Sequence, residues 1–216
     1  MSIPDLLAIF TFGYPITMAT IWICGGIYFY AHWERKQPWP ATHSWGGDTP
    51  KVTILLPCFN ESGNIDETVG HLFKQNYPCL EVIAINDGST DNTAEKLEAL
   101  QLSFPELKVL HQTNQGKASA LNNGLKSASG EIIVGIDGDA VLDYDAIGYM
   151  VGHFLSSPRV SGVTGNPRVR TRSTIIGKIQ TGEFSSIIGL IKRAQRIYGM
   201  VFTISGVVCA FRKSAL

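Results

Sequence analysis

The chain has 216 residues, of which 44% are hydrophobic and 17% charged, and its 18 basic and 18 acidic side chains balance. These proportions exclude a disordered polyampholyte and a uniformly basic nucleic-acid binder, and the length is enough for a sizeable core without disulfide or metal staples. The four cysteines, Cys24, Cys58, Cys79 and Cys209, form no C-x-x-C, so neither a zinc knuckle nor a disulfide scaffold is indicated, and reduced thiols on the cytosolic side are expected. The charge balance hides an asymmetry: the formal charge is −1 before His32, −8 from His32 to Pro158 and +9 from Arg159 onward. An acidic half suited to a cation is followed by a basic half suited to anionic substrate or lipid, although solvated faces account equally well for any single Lys or Arg.

Leu6 to Ala31 carries no charged side chain over 26 residues. As a helix it reaches roughly 39 Å at about 1.5 Å per residue, more than the hydrocarbon core of a bilayer. Pro15 and the pair Gly25-Gly26 would weaken a soluble helix but are tolerated in lipid, where paired glycines admit a close neighbour. Trp22, Tyr28, Tyr30 and Trp33 gather toward the C-terminal end, and Arg35 and Lys36 follow while no Lys or Arg precedes. Residues 1–36 therefore read as a transmembrane anchor in the plasma membrane, with the N-terminus outside and the rest cytoplasmic. A cleaved signal peptide fits less well, since there is no basic leading segment or small-residue cleavage site. Residues 37–50, with their prolines, glycines and tryptophans, show no period and read as a linker.

From residue 51 onward the pattern alternates. Val52–Leu56, Glu81–Ile85, Leu107–Leu110 and Ile132–Ile136 are short apolar runs, and the stretches Ile65–Lys74, Thr93–Leu100 and Lys117–Lys126 between them are helical in character. Such spacing predicts right-handed βαβ crossovers and an α/β fold with a mostly parallel sheet, whose ligands bind at the C-terminal strand ends. A further helical stretch, Ser173–Tyr198, interleaves isoleucines with Lys and Arg, which suits either core packing or contact with the bilayer surface.

The distinctive polar residues fall at those strand ends. After the first strand come Asn60 and Glu61; Glu61 can accept from a ribose or a base, or it can serve the positive end of the next helix. After the second come Asp87 and Gly88, an acid beside a glycine that lets a ligand approach the backbone, and Asp91, a candidate N-cap; Asp-Gly is also ordinary turn chemistry. Lys117 opens the third helix, where an ammonium and backbone N–H groups together favour an anion. It is not a Walker lysine, because Ala118 follows it and His111 stands where the first glycine should be, and no G-x-G-x-x-G follows any of the strands. Asp137-Gly138-Asp139 ends the fourth strand, and two carboxylates spaced in this way suit a hard divalent cation that takes its other ligands from water and a diphosphate.

The chain from Val52 onward resembles the processive family 2 glycosyltransferases of GT-A fold, and within them the branch that makes poly-β-1,6-N-acetylglucosamine. Cys58 to Glu61, Ile85 to Asp91, Ile136 to Ala140, Val163 to Thr174 and Gly177 to Gln180 carry the likeness. The resemblance implies a GT-A domain over 51–216 and a donor site of Pro57, Asn60, Glu61, Asp87, Gly88, Lys117 and Asp137. In it Glu61 and Asp87 hold the uridine, Asp137 contacts the donor, Asp139 holds Mg2+ or Mn2+ on the diphosphate, and Asp137 and Asp139 are the catalytic residues. It further implies inverting transfer of N-acetylglucosamine from UDP-N-acetylglucosamine to a growing β-1,6-linked biofilm exopolysaccharide, with a lipid bilayer, a polysaccharide acceptor and a small membrane accessory subunit as partners and no nucleic acid. Phe202 to Gly206 matches a stretch that lines the pocket. The family pattern also has a general-base Asp in a T/E-D motif and a Q-x-x-R-W segment downstream of the fourth-strand acids, and this sequence contains no Glu-Asp and no Gln-x-x-Arg-Trp. The expectation is therefore a C-terminally incomplete GT-A domain that binds donor and is inactive alone. The alternatives are a non-catalytic UDP-sugar-binding or assembly subunit and a fragment of a chitin- or hyaluronan-type synthase.

Overall fold

The central strands are buried almost without interruption, because both faces of the sheet are covered. In the computed structural model, which describes residues 2–35 and 49–216, β1 (Val52–Cys58) turns Val52, Ile54, Leu56 and Cys58 to one face and Leu55 to the other. The linker reading falls mostly outside the described residues. β2 (Leu80–Asp87), β3 (Leu107–Gln112) and β4 (Ile132–Ile136) run parallel to β1, whereas β5 (Gly162–Thr164) and β6 (Val208–Arg212) join antiparallel, in the order β3-β2-β1-β4-β6-β5. The mostly parallel sheet is thus as expected, while the antiparallel pair was not foreseen. Because β2 and β4 flank β1 on opposite sides, the order reverses at β1, and the crevice of such a sheet opens outside the C-terminal ends of β1 and β4.

We number as α1 the continuous helix Ile3–Glu34, which is taken up below. On one face of the sheet, α2 (Ile65–Leu72), α3 (Thr93–Ser103) and α5 (Ala146–Ser156) contribute Ile65, Val69, Leu72, Leu97, Ile147, Val151 and Phe154 to the main core. The other face is covered by α4 (Lys117–Ser127), whose Ala120 packs with Leu55, Ile83 and Ile85. Close approach is possible because Gly124 faces the sheet: a Cβ there would stand 2.8 Å from the Ile85 Cδ1. The expected helices match α2, α3 and α4 within a few residues, and α5 was not anticipated. The stretch 173–198 forms α6 (Ile175–Phe184), a π-helical segment (Ser185–Ile191) and α7 (Lys192–Arg196).

The chain divides into two compact units, one of Pro40–Gly165 with Ile204–Leu216, which holds the sheet, and one of Met1–Trp39 with Asn166–Thr203. In the second unit, α1 spans 32 residues and is the one helix among the described residues long and apolar enough to cross a membrane. At about 1.5 Å per residue it measures about 48 Å. A π-helical turn, Ile9–Gly13, precedes Pro15, where the missing N–H interrupts the regular ladder. Gly25 and Gly26 face Ala194 and Leu190, and a Cβ at Gly25 would stand 2.8 Å from the Ala194 Cβ, so glycine favours this close helix pairing. The Arg193 Nε reaches both Glu34 carboxylate oxygens at 2.9 and 3.0 Å.

At the N-terminal edge of the sheet a buried acid ties the strands together. The Glu81 carboxylate accepts from the Thr53 hydroxyl (2.6 Å), the Lys108 ammonium (2.6 Å), and the Ser129 N–H and hydroxyl (both 2.9 Å). Burial opposes the charge, but these donors prevail and lower its pKa from 4.5 to about 2. The folded state thus binds the proton less readily than the unfolded chain, so this contribution is complete above pH 4.5 and is lost as pH falls toward 2. Glu81→Gln is expected to remove about 3 kcal/mol at neutral pH, and thermal unfolding in detergent should show the variant's deficit shrinking as the pH drops below about 4.5.

Candidate donor-binding site

The loops after β1 and β2 are joined by short polar side chains. Asn60 adopts a left-handed backbone, φ 57°, which asparagine tolerates better than most residues. Its N–H donates to the Ser89 hydroxyl (3.1 Å), and its Oδ1 accepts from the Thr90 N–H (2.8 Å). The next two amides continue the seam, Glu61 N–H donating to the Thr93 hydroxyl oxygen at 2.9 Å and Ser62 N–H to the Asp91 carboxylate at 3.1 Å. Asp91 is not the N-cap it was expected to be. Asn92 occupies that position, while Asp91 accepts from the Thr93 N–H and hydroxyl, and these bonds with those from Ser62 hold its carboxyl well below the usual range.

Asp87, at the end of β2, is buried. Its carboxylate accepts from the Gln112 side chain (2.7 Å) and from the backbone N–H groups of Gln115 (2.9 Å) and Gly116 (2.8 Å). Burial alone would raise its pKa, and the three donors reverse this and lower it. Two glycines make the fit possible: Gly88, with φ 67°, lies where a Cβ would be 2.6 Å from the Asn114 nitrogen, and Gly116 caps α4 with φ 85°.

Across the crevice, the Lys117 ammonium pairs with the Asp137 carboxylate and donates to the Gly206 carbonyl at 3.2 Å. Asp137 is fixed at its backbone, its N–H donating to the Val207 carbonyl (3.0 Å) and its carbonyl accepting from Ala140 (3.0 Å). Asp139 is exposed. Between the two acids, Gly138 leaves room for Glu61, since a Cβ there would stand 2.8 Å from the Glu61 Cγ, and the Gly138 carbonyl accepts from the buried Thr68 hydroxyl at 3.0 Å. Ser205 is held nearby, its N–H donating to the Thr164 hydroxyl at 2.9 Å.

Glu61, Asp87, Lys117, Asp137 and Asp139 thus share one sheet edge, with Pro57, Asn60 and Gly88 shaping its loops. Of the stretch 202–206, Ile204 to Gly206 belong to the unit that holds this edge, and Phe202 to the other. Cys58 is no nucleophile, because burial and then the Glu61 charge push its thiol up to about 12. Among the described residues no three His, Cys, Asp or Glu side chains converge as a metal site. A cation here would find at most the two carboxylates of Asp137 and Asp139 and would need oxygens from water and a ligand. That hard, all-oxygen donor set fits a divalent ion, and Lys117 already places a positive charge on Asp137. The joining residues Ser89, Thr90, Thr93, Gln112, Gln115 and Thr68 escaped sequence reasoning, since a hydroxyl or amide that bonds to a distant loop leaves no periodic signal.

Residues 53–216 match the model of glycosyl transferase family 2. This chain belongs to that family. The poly-β-1,6-N-acetyl-D-glucosamine synthase of Staphylococcus aureus strain MSSA476 is 44% identical over 94% of this family 2 chain, and that of Staphylococcus epidermidis 43% identical over 94%. The chain covers 50% of the length of each of these relatives. Among solved structures, the mannosyltransferase PcManGT of Pyrobaculum calidifontis, in complex with GDP-Man and Mn2+, is similar with a TM-score of 0.65 and 27% identity, over 91% of this chain and 55% of that one. The GT-A fold expected from the sequence is the fold found.

The contact at Gly138 is open to test. Gly138→Ala is expected to cost about 1–3 kcal/mol by overpacking, and because the Glu61 side chain is the nearest obstacle, Glu61→Ala in the same chain should recover most of it. Thermal unfolding of the two single variants and the double variant measures the coupling.

Proposed function

We propose that this chain is the donor-binding part of a membrane-anchored polysaccharide synthase that transfers N-acetylglucosamine from UDP-N-acetylglucosamine to a growing β-1,6-linked polymer. The observation that carries this reading is the pairing of Lys117 with Asp137 beside the Gly206 carbonyl, with Asp139 exposed, at the sheet edge where the strand order reverses. Its substrate is the one for which the similar synthases are named, and the family membership supplies the reaction class.

In this reading, Glu61 and Asp87 face the uridine, Asp87 chiefly by ordering the loop that carries Gln115 and Gly116, and Pro57, Asn60 and Gly88 shape the wall. Inverting transfer forms a bond from an acceptor hydroxyl oxygen to the anomeric carbon as the bond from that carbon to the UDP oxygen breaks, and the hydroxyl proton goes to a base. Asp137 and Asp139 would hold Mg2+ or Mn2+, which supplies Lewis-acid stabilisation of the departing diphosphate. Lys117 lies within reach of that same charge, so donor binding exchanges its contact with Asp137 for one with phosphate oxygens. No acid of this chain after Asp145 other than Glu183 exists to act as base. We assign the base and the acceptor clamp to the part of the synthase that corresponds to the remaining half of the relatives' length.

Residues 1–36 are the membrane anchor, 37–50 the linker and 51–216 the transferase domain, with α1 crossing the plasma membrane and Arg35 on the cytoplasmic side. The absence of Lys or Arg before Arg35 and the cluster Tyr28, Tyr30 and Trp33 support that orientation. The polymer acceptor, the bilayer and a small accessory membrane subunit are the partners.

Calorimetric titration of UDP-N-acetylglucosamine into the detergent-solubilised chain should show binding with Mg2+ or Mn2+ that weakens at least about tenfold in chelator or in Asp139→Ala. Equal affinity in chelator, or a folded chain that binds no donor, contradicts the proposal.

A further inference from the structure

Residues 166–203 carry seven basic side chains and one acid, Glu183. Within the unit they share with α1, an open cavity of about 310 Å3 is lined by the arginines Arg168, Arg172 and Arg193 together with Asn166, Thr181 and Ser185. The protons of the Thr181 and Ser185 hydroxyls are taken by the carbonyls of Gly177 and Thr181, both at 2.7 Å. The donors left to the cavity are therefore the guanidinium groups and the Asn166 amide. Arg193 is held by Glu34 and by the Gly189 carbonyl, and Arg172 by the Val169 carbonyl at 3.0 Å. Among the described residues, neither Arg168 nor Arg172 has a carboxylate partner. Three like charges around one concavity, two of them without a counter-charge, repel one another until an anion enters, and guanidinium forks match the oxygens of a phosphate.

We infer that this arginine-lined cavity is a binding site for a phosphate group, separate from the donor site, and that the headgroup of an anionic phospholipid is its natural occupant. The depth argues for the lipid. Glu34, which anchors Arg193, ends α1, and Gly25 and Gly26 bring the segment around Leu190 and Ala194 against the last third of that helix, level with Tyr28, Tyr30 and Trp33. If α1 spans the membrane, this level is the boundary between acyl chains and water, where phosphates lie. The lipid assignment rests on the anchor reading proposed above; the phosphate assignment does not.

Native mass spectrometry of the chain in neutral detergent, titrated with phosphatidylglycerol or phosphatidylcholine, tests the site. One phosphatidylglycerol should bind ahead of phosphatidylcholine, and Arg168→Gln/Arg172→Gln should weaken it at least about tenfold. A pair of equal charge loss outside the cavity, Arg159→Gln/Lys178→Gln, should change it less than about twofold. Competition by millimolar inorganic phosphate supports a site for phosphate oxygens from either source, and resistance to it supports the lipid headgroup. Equal loss in both pairs, no preference for the anionic lipid, or displacement by UDP overturns the inference. UDP-N-acetylglucosamine binding, measured on the same variants, should be unchanged in Arg168→Gln/Arg172→Gln. That result shows the variant is folded and separates failure of the lipid site from failure of the donor site.

Discussion

Burying Asp87 at the end of β2 carries a desolvation penalty that its three N–H donors offset, and two of those donors are backbone amides of the loop before α4. The need to satisfy that carboxylate therefore dictates where α4 begins. Gly116 takes the positive φ that lets both amides point inward, and Lys117 becomes the first helical residue. Its ammonium then falls opposite Asp137, which the parallel pairing of β1 with β4 has brought to the same edge. Were Asp87 replaced, Lys117 would lose its fixed starting point, although the two residues do not touch.

The two edges of the sheet are built differently. At the N-terminal edge, Glu81 gathers Thr53, Lys108 and Ser129 into a closed set whose every partner belongs to the scaffold. At the C-terminal edge the loops are cross-linked by Asn60, Thr93 and Asp91, and the acids at their tips stay accessible, Asp139 exposed and Asp137 part-buried. Rigid loops with exposed acids are what a charged ligand requires, because the chain loses little conformational freedom on binding it. The Thr68 hydroxyl contributes from below by fixing the Gly138 carbonyl, so that the turn bearing both aspartates is tied to α2.

Much of this was legible because apolar runs and strand-end acids are adjacent in sequence. Val52 to Leu56 and Ile132 to Ile136 announce central strands, and an acid or glycine just beyond such a run must lie at the sheet's C-terminal edge, which places Glu61, Asp87 and Asp137 together without coordinates. β5 was not legible, because three residues carry no period, and β6 takes its direction from a long return that local pattern does not encode. Glu81 reads as the ordinary start of a strand, since its partners lie 27, 28 and 48 residues away. Asp91 has the composition of a cap, and only the bond from Ser62 shows that it serves the seam between loops. The basic stretch after Asn166 announced its charge but not that three of its arginines line one cavity.

The central claim is that two carboxylates at this edge form half a cation site, and that the diphosphate of the donor completes it. Electron paramagnetic resonance of Mn2+ titrated into the solubilised chain, with and without UDP and corrected for the protein-free Mn2+–UDP complex, measures this directly. The account predicts weak Mn2+ binding alone, strengthened at least about tenfold by UDP, an equal strengthening of UDP binding by Mn2+, and loss of the coupling in Asp139→Ala. Mn2+ binding of the same strength with and without UDP would contradict it.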